Sequence, residues 1–261
     1  MAVSSYGVRL GVRVSDPATL EPLLARLPEG WKPARSQTVD RLYSAVLGGG
    51  SGPVRRYSLL YQDASRVIRT LDPARLLDSF GTVAGMYVAE FAPRRIFVHA
   101  GVVGWRDRAI LIPGSSMSGK TTLTAALARA GATYLSDEYA VLDERARVHP
   151  FPKPLSIREG TPPRGREHLV EALGIAQGTR PLPVGLVLSS EYRSGARWSP
   201  RRLSPGEGLL ALLAHTVAAR SSPERAVETL GRVVEAAPVL EGPRGEAAET
   251  AELVLEQLGS G

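Results

Sequence analysis

Residues 114–121, Gly-Ser-Ser-Met-Ser-Gly-Lys-Thr, fit the pattern G-x-x-x-x-G-K-[ST] at every defined position, and nothing else in the chain restricts its fold as strongly. Such a loop binds phosphate only when it leaves a strand and opens a helix. Both flanks are present: Ala109 to Ile112 reads as a β run, and Leu123, Ala126, Leu127 and Ala130 share one helical face that Gly131 stops. The glycines let backbone N–H groups turn inward around phosphate oxygens, and the helix N-terminus adds a positive dipole end. Lys120 neutralises the terminal phosphates and Thr121 offers a hydroxyl to Mg²⁺. Gly114, Ser115, Ser116, Met117, Ser118, Gly119, Lys120, Thr121 and Thr122 therefore form the expected nucleotide cradle. The chain uses Arg almost everywhere and has Lys only at 32, 120 and 153, so a Lys in this loop marks a place that requires a compact ammonium.

Composition excludes several chemistries. With no Cys, disulfides, thiolate metal sites and cysteine nucleophiles are all ruled out. The 43% hydrophobic content is that of a globular chain, not of disorder, collagen or coiled coil. No apolar run approaches the ~20 residues of a membrane span, and Met1 to Tyr6 lacks the layout of a signal peptide, so a cytoplasmic protein with no membrane partner is expected. The net charge of +6 comes from dispersed arginines without interleaved aromatics, which argues against nucleic acid as a partner.

The hydrophobic pattern changes after Pro93-Arg94-Arg95, placing a domain boundary at 92/93. Residues 1–92 read as a smaller α+β region. It comprises a strand from Tyr6 to Val14, a helix opened by Ser15-Asp16-Pro17, a Gly/Ser loop from Gly48 to Pro53, a hairpin of Tyr57 to Tyr61 and Val67 to Arg69 turning at Gln62-Asp63, and a long helix opened by Asp72-Pro73. Residues 93–261 begin with β runs Ile96 to Val103 and Ala109 to Ile112 around the turn Gly104 to Arg108, so a hairpin leads straight into the phosphate loop. Beyond the loop helix come strands Thr133 to Leu135 and Ala140 to Leu142, a loop at Gly160 to Arg166, and a strand from Pro183 to Ser189. A Ser204–Glu207 capping box then precedes a helix from Leu209 to Ala219, Ser222-Pro223 opens another, and Glu246 to Leu258 forms the last.

Phosphoryl transfer needs an acid group to bind metal or accept a proton, and Asp137-Glu138 supply it. In a parallel sheet they would end the strand that follows the loop helix, beside the phosphates. His99 stands fifteen residues before the loop. His149, His168 and His215 show no metal-ligand spacing, and Arg158, Arg164 and Arg166 are candidate phosphate clamps or solvated loop residues.

The run from His99-Ala100-Gly101 through the hairpin, the loop at Gly114, the helix and Gly131 to Asp137-Glu138 resembles the catalytic domain of HPr kinase/phosphorylase. That resemblance implies an α/β fold: a P-loop kinase domain of the HPr-kinase and phosphoenolpyruvate-carboxykinase type. It also implies ATP or another nucleoside triphosphate with Mg²⁺ as cofactors, and an oligomer of identical chains. It makes His99, Lys120 and Asp137 catalytic, with Asp137 as base, and Thr121, Asp137 and Glu138 the metal ligands. Glu138 stands where the family has Asp, Glu171 to Ile175 lacks the family's Arg-Gly, and residues 1–92 carry no such resemblance. The implied acceptor is therefore a different one, a Ser or Thr of a peptide or protein, as in kinases of this branch that serve peptide natural-product pathways. A small-molecule kinase and a nucleotide-binding regulatory protein without transfer are the alternatives.

Overall fold

Tyr6 and Gly7 both take positive φ, 49° and 88°, and this makes a tight turn of the first two residues of the alternating run. In the computed structural model of the chain, which describes residues 1–48, 56–115, 118–153, 155–159, 164–168 and 170–258 (backbone only for 156–159, 164–168 and 171), the strand expected over Tyr6 to Val14 begins only at Val8, and a further, unexpected strand precedes the turn. These are β1 (Ala2–Ser5) and β2 (Val8–Val14), paired antiparallel. A 3₁₀ turn capped by Asp16 leads into α1 (Leu20–Leu24), followed by β3 (Lys32–Pro33), β4 (Arg41–Val46), β5 (Ser58–Gln62), β6 (Ser65–Thr70) and α2 (Pro73–Phe91). The hairpin turns at Asp63-Ala64, one residue later than the sequence suggests, because Asp63 takes the left-handed conformation at φ 51°. The six strands run β3-β1-β2-β4-β5-β6, with β2 and β4 parallel. One face, carrying Leu10, Val12, Tyr43 and Leu60, is buried with Leu23, Leu76, Phe80 and Ala84 from the helices.

The chain divides into two compact units, Met1–Arg94 and Arg95–Gly261. The second opens with β7 (Ile96–Trp105) and β8 (Arg108–Pro113), a hairpin whose tight turn places Arg106 and Asp107 at positive φ. α3 (Lys120–Arg129) follows, then β9 (Thr133–Ser136), β10 (Tyr139–Leu142), β11 (Arg147–His149), β12 (Leu155–Glu159) and β13 (Arg164–His168). Where a loop was expected up to Arg166, β13 pairs with β12; residues 160–163 lie outside the described residues. Next come β14 (Leu182–Tyr192), β15 (Arg201–Arg202), α4 (Pro205–Leu213), α5 (Pro223–Ala236), β16 (Val239–Arg244) and α6 (Ala247–Gln257). The Ser204–Glu207 capping box is formed in both directions, but the helix stops at Leu213, and a separate 3₁₀ turn covers Val217–Ala219.

The main sheet is mixed: β8, β14 and β16 run parallel, while β7, β9, β10 and β11 run antiparallel to their neighbours. Alternate residues of β8 face opposite ways. Ala109 and Leu111 join Leu212, Leu230 and Val233 of α4 and α5, whereas Ile110 and Ile112 join Leu123, Leu127, Val254 and Leu255 of α3 and α6. A strand buried on both faces gives the loop that follows it a rigid base. On α3 the expected single stripe is broader than Leu123, Ala126 and Leu127: Lys120, Thr124, Ala125 and Ala128 are buried too, and Ala130 is exposed.

Candidate functional site

The loop 114–119 leaves the buried strand β8 and ends at Gly119, whose φ of 81° lets the chain turn into the first turn of α3. Among the described residues no side chain caps that turn, which leaves its first N–H groups without the usual cap acceptor. A left-handed glycine followed by an uncapped helix start is the local form of an anion cradle. Ser116 and Met117, expected in the cradle, lie outside the described residues. Among the others Gly114 is buried, Ser115 and Thr122 are exposed, and Ser118, Gly119 and Thr121 are half-buried.

Lys120 is 8% exposed, and its stem lies under β7. The two elements meet at Gly101: a Cβ there would stand 2.0 Å from Thr124 Oγ1 and 3.4 Å from Lys120 Cγ, so only glycine admits α3 this close. Burial lowers the pKa of Lys120, and the carboxylates of Asp137 and Glu138 oppose that shift. They arrive by a route that corrects the parallel-sheet expectation. β9 and β10 both run antiparallel to β7, with Ser136 opposite Val102 and Tyr139 opposite His99. Asp137 and Glu138 thus occupy the break between two strands on one edge of β7, and the Glu138 carbonyl accepts from Ala100 N.

Asp137 is the electrostatic centre of this group. Burial raises its pKa to about 6, against a hydrogen bond from Thr121 and the charge of Lys120, while Glu138 adds to the rise. Its Oδ1 is buried and has no hydrogen-bond partner among the described residues. An orphaned carboxylate oxygen beside a buried ammonium and a hydroxyl is a place prepared for a further donor. Glu138 instead forms an ion pair with Lys153. His99 is tied to the loop: its Nδ1 lies 2.8 Å from Gly114 O, a carbonyl that can only accept, and its own carbonyl accepts from Gly114 N at 3.2 Å. Nδ1 therefore carries the proton, and His99 acts here by fixing the start of the loop.

Three features carry little or no sequence signal. Arg244, at the end of β16, is 2% exposed and donates through Nη2 to Gly119 O at 2.8 Å and through Nη1 to Gly245 O at 3.0 Å. Burial lowers its pKa. Only its neighbourhood distinguishes it from the other arginines. His215, which showed no ligand spacing, accepts from His99 N through its carbonyl at 2.7 Å, and burial together with His99 and Lys120 lowers its pKa. Beside it a cleft of about 840 Å³ opens at the carboxyl ends of the parallel strands β8, β14 and β16, lined by Ser115, Ser118, Ser190, Tyr192 and Glu241. His149 pairs with Asp143 at 2.8 Å, Trp105 and Trp198 pack against the core, and the side chains of Arg158, Arg164, Arg166 and His168 lie outside the described residues.

The chain is a mixed α/β protein with a phosphate-loop sequence at the end of a buried central strand. No family model matches it, and no curated protein does. Among solved structures, the Hpr(Ser) kinase/phosphatase from Coxiella burnetii aligns at 14% identity over 63% of this chain and 88% of that one, with a TM-score of 0.35. No helix among the described residues is long and apolar enough to cross a membrane.

Proposed function

We propose that this protein is a phosphotransferase that moves the γ-phosphoryl group of a nucleoside triphosphate to a hydroxyl. The observation that carries this reading is the buried Oδ1 of Asp137, unpartnered among the described residues, beside Thr121 and Lys120 at the start of α3. A carboxylate oxygen with no donor among the described residues, in a group whose pKa burial raises to about 6, is suited to take a proton from an acceptor hydroxyl. The acceptor hydroxyl gives its proton to Asp137 Oδ1 as its oxygen bonds to the γ-phosphorus. The bond from that phosphorus to the bridging oxygen breaks, and the nucleoside diphosphate leaves with the electron pair. Lys120 and the N–H groups of the α3 start stabilise the charge that develops.

Mg²⁺, when bound with the nucleotide, neutralises phosphate charge and orients the chain of phosphates. The donor set fits a cation that keeps most of its water: Thr121 would hold it through the hydroxyl oxygen, with Asp137 beside it, and Glu138 would join on release from Lys153. The cleft on the β14 and β16 side of the loop lies across β8 from the β7 edge that carries Asp137, which suits it to the non-reacting half of the donor. For the acceptor we infer a Ser or Thr of a peptide, on the resemblance in the His99–Glu138 run. Incubation with Mg-ATP and Ser- or Thr-containing peptides, read by mass spectrometry, should show a phosphate added to the peptide and none with Lys120→Ala. Phosphate on small hydroxyl compounds only would make it a small-molecule kinase, and tight nucleotide binding with no transfer to anything would overturn the reading.

A further inference from the structure

The face of the first unit's sheet opposite α1 and α2 carries a row of side chains in register across four strands. Arg13 of β2 pairs with Ser44 of β4, Ser44 with Tyr61 of β5, and Tyr61 with Arg66 of β6. Paired residues share a face, so the row lies away from the core that holds Val12, Tyr43 and Leu60. Beside it runs a second row, Val46, Leu59 and Arg69. A register shift between Leu60 and Tyr61 brings Arg66 onto the same face as Arg69; without it the intervening Val67 would take that place.

The charges on this surface are unequal. Its carboxylates are already matched, Asp40 by Arg9 at 2.9 Å and Asp63 by Arg41. Arg13, Arg66 and Arg69 are exposed and have no carboxylate partner among the described residues. Arg13 only donates to Ser44 Oγ at 3.3 Å, and Arg69 lies over the Tyr57 ring at 3.7 Å. Between them the surface is apolar, with Val46 40% exposed and Tyr61 and Leu59 half-buried, and a depression of about 470 Å³ opens at Arg13, Ser44, Val46 and Tyr61. The outer strand β6 also leaves one edge of the sheet unpaired among the described residues.

We infer that this face docks an extended, acidic segment of a partner polypeptide, one with carboxylates alternating with apolar side chains. Guanidinium groups at both ends of the row suit carboxylates spaced along an extended chain, and the Val46–Leu59 strip suits the side chains between them. Nucleic acid would also answer to arginine and tyrosine, but the apolar second row offers its phosphates nothing. The inference stands on the first unit alone and does not depend on the phosphotransferase reading.

Fluorescence anisotropy of the full chain with a short labelled peptide alternating Glu with Val and Thr tests it. Saturable binding is expected, weakening by about tenfold as salt screens the exposed charges. The Gln-for-Glu peptide should not bind. The triple variant Arg13→Glu, Arg66→Glu, Arg69→Glu should lose the peptide while keeping the circular-dichroism spectrum and thermal unfolding of the native chain. If that variant does not fold, the corresponding triple Gln variant should show the same loss. Equal binding by the folded variant, no binding of the Glu peptide by the native chain, or preference for an oligouridylate over the peptide would each overturn the inference.

Discussion

Asp137 and Lys120 hold opposite charges in a buried place, and each is shifted toward its neutral form by burial. For Asp137 this has two consequences of opposite sign. As a base it must be ionised, so kcat/KM should fall on the acid side with an inflection near pH 6, and Asp137→Glu should move that inflection while Asp137→Asn should abolish it. For stability, a carboxyl whose pKa rises from 3.8 to about 6 on folding binds its proton more tightly in the native state. Stability is therefore lost as pH climbs between those values, and the loss persists above them. Asp137→Asn should be more stable than wild type at neutral pH by up to about 3 kcal/mol in urea unfolding, the size of such a shift, and the gain should vanish at the acid end. A variant stable but inactive would fit a group placed for chemistry. Lys120→Ala and Lys120→Arg should both lose transfer by about 10²–10³, since Ala removes the charge and the planar fork of Arg is bulkier than the ammonium of a side chain packed this closely against β7 at Gly101. Steady-state assays of the two variants check this.

The contact of α3 with β7 at Gly101 sets the position of the cradle. Gly101→Ala would press a methyl group against Thr124 Oγ1, which now donates to Lys120 O at 2.9 Å. Destabilisation of about 1–3 kcal/mol is expected, with weaker nucleotide binding. Adding Thr124→Ala should recover most of both, and a double-mutant cycle by urea unfolding and calorimetry measures that coupling. At the other end of the sheet, Ser204→Ala should cost about 1 kcal/mol in the same unfolding assay by removing the formed cap of α4. The sequence spelled out such local devices well: the loop between strand and helix, the β7–β8 hairpin and the Ser204 box are all set by neighbours in the chain. Where distant pairing decides, it did not. β1 was hidden because Ala2-Val3-Ser4-Ser5 is short and carries no apolar alternation, and β16 because Gly242 and Pro243 are residues that strands seldom hold. The antiparallel course of β9 and β10 depends on which neighbour β7 accepts, and Arg244 became distinguishable only when folding brought it to Gly119.

Each compact unit carries its own buried core, one around Leu10, Tyr43 and Phe80, the other on both faces of β8. The described cradle residues, Asp137, His99, Arg244 and the large cleft all belong to residues 95–261, while the arginine-bearing open face belongs to residues 1–94. The proposed chemistry and the proposed partner docking are then separable by mutation. In the proposed phosphoryl transfer, Asp137 acts on the acceptor and does not merely help hold the nucleotide. Single-turnover phosphorylation by wild type and Asp137→Asn, with calorimetry of both against a non-hydrolysable ATP analogue and Mg²⁺, tests this most directly. Near-native nucleotide affinity with transfer reduced by about 10²–10⁴ is the expected result; unchanged transfer in Asp137→Asn would contradict it and leave only a nucleotide site.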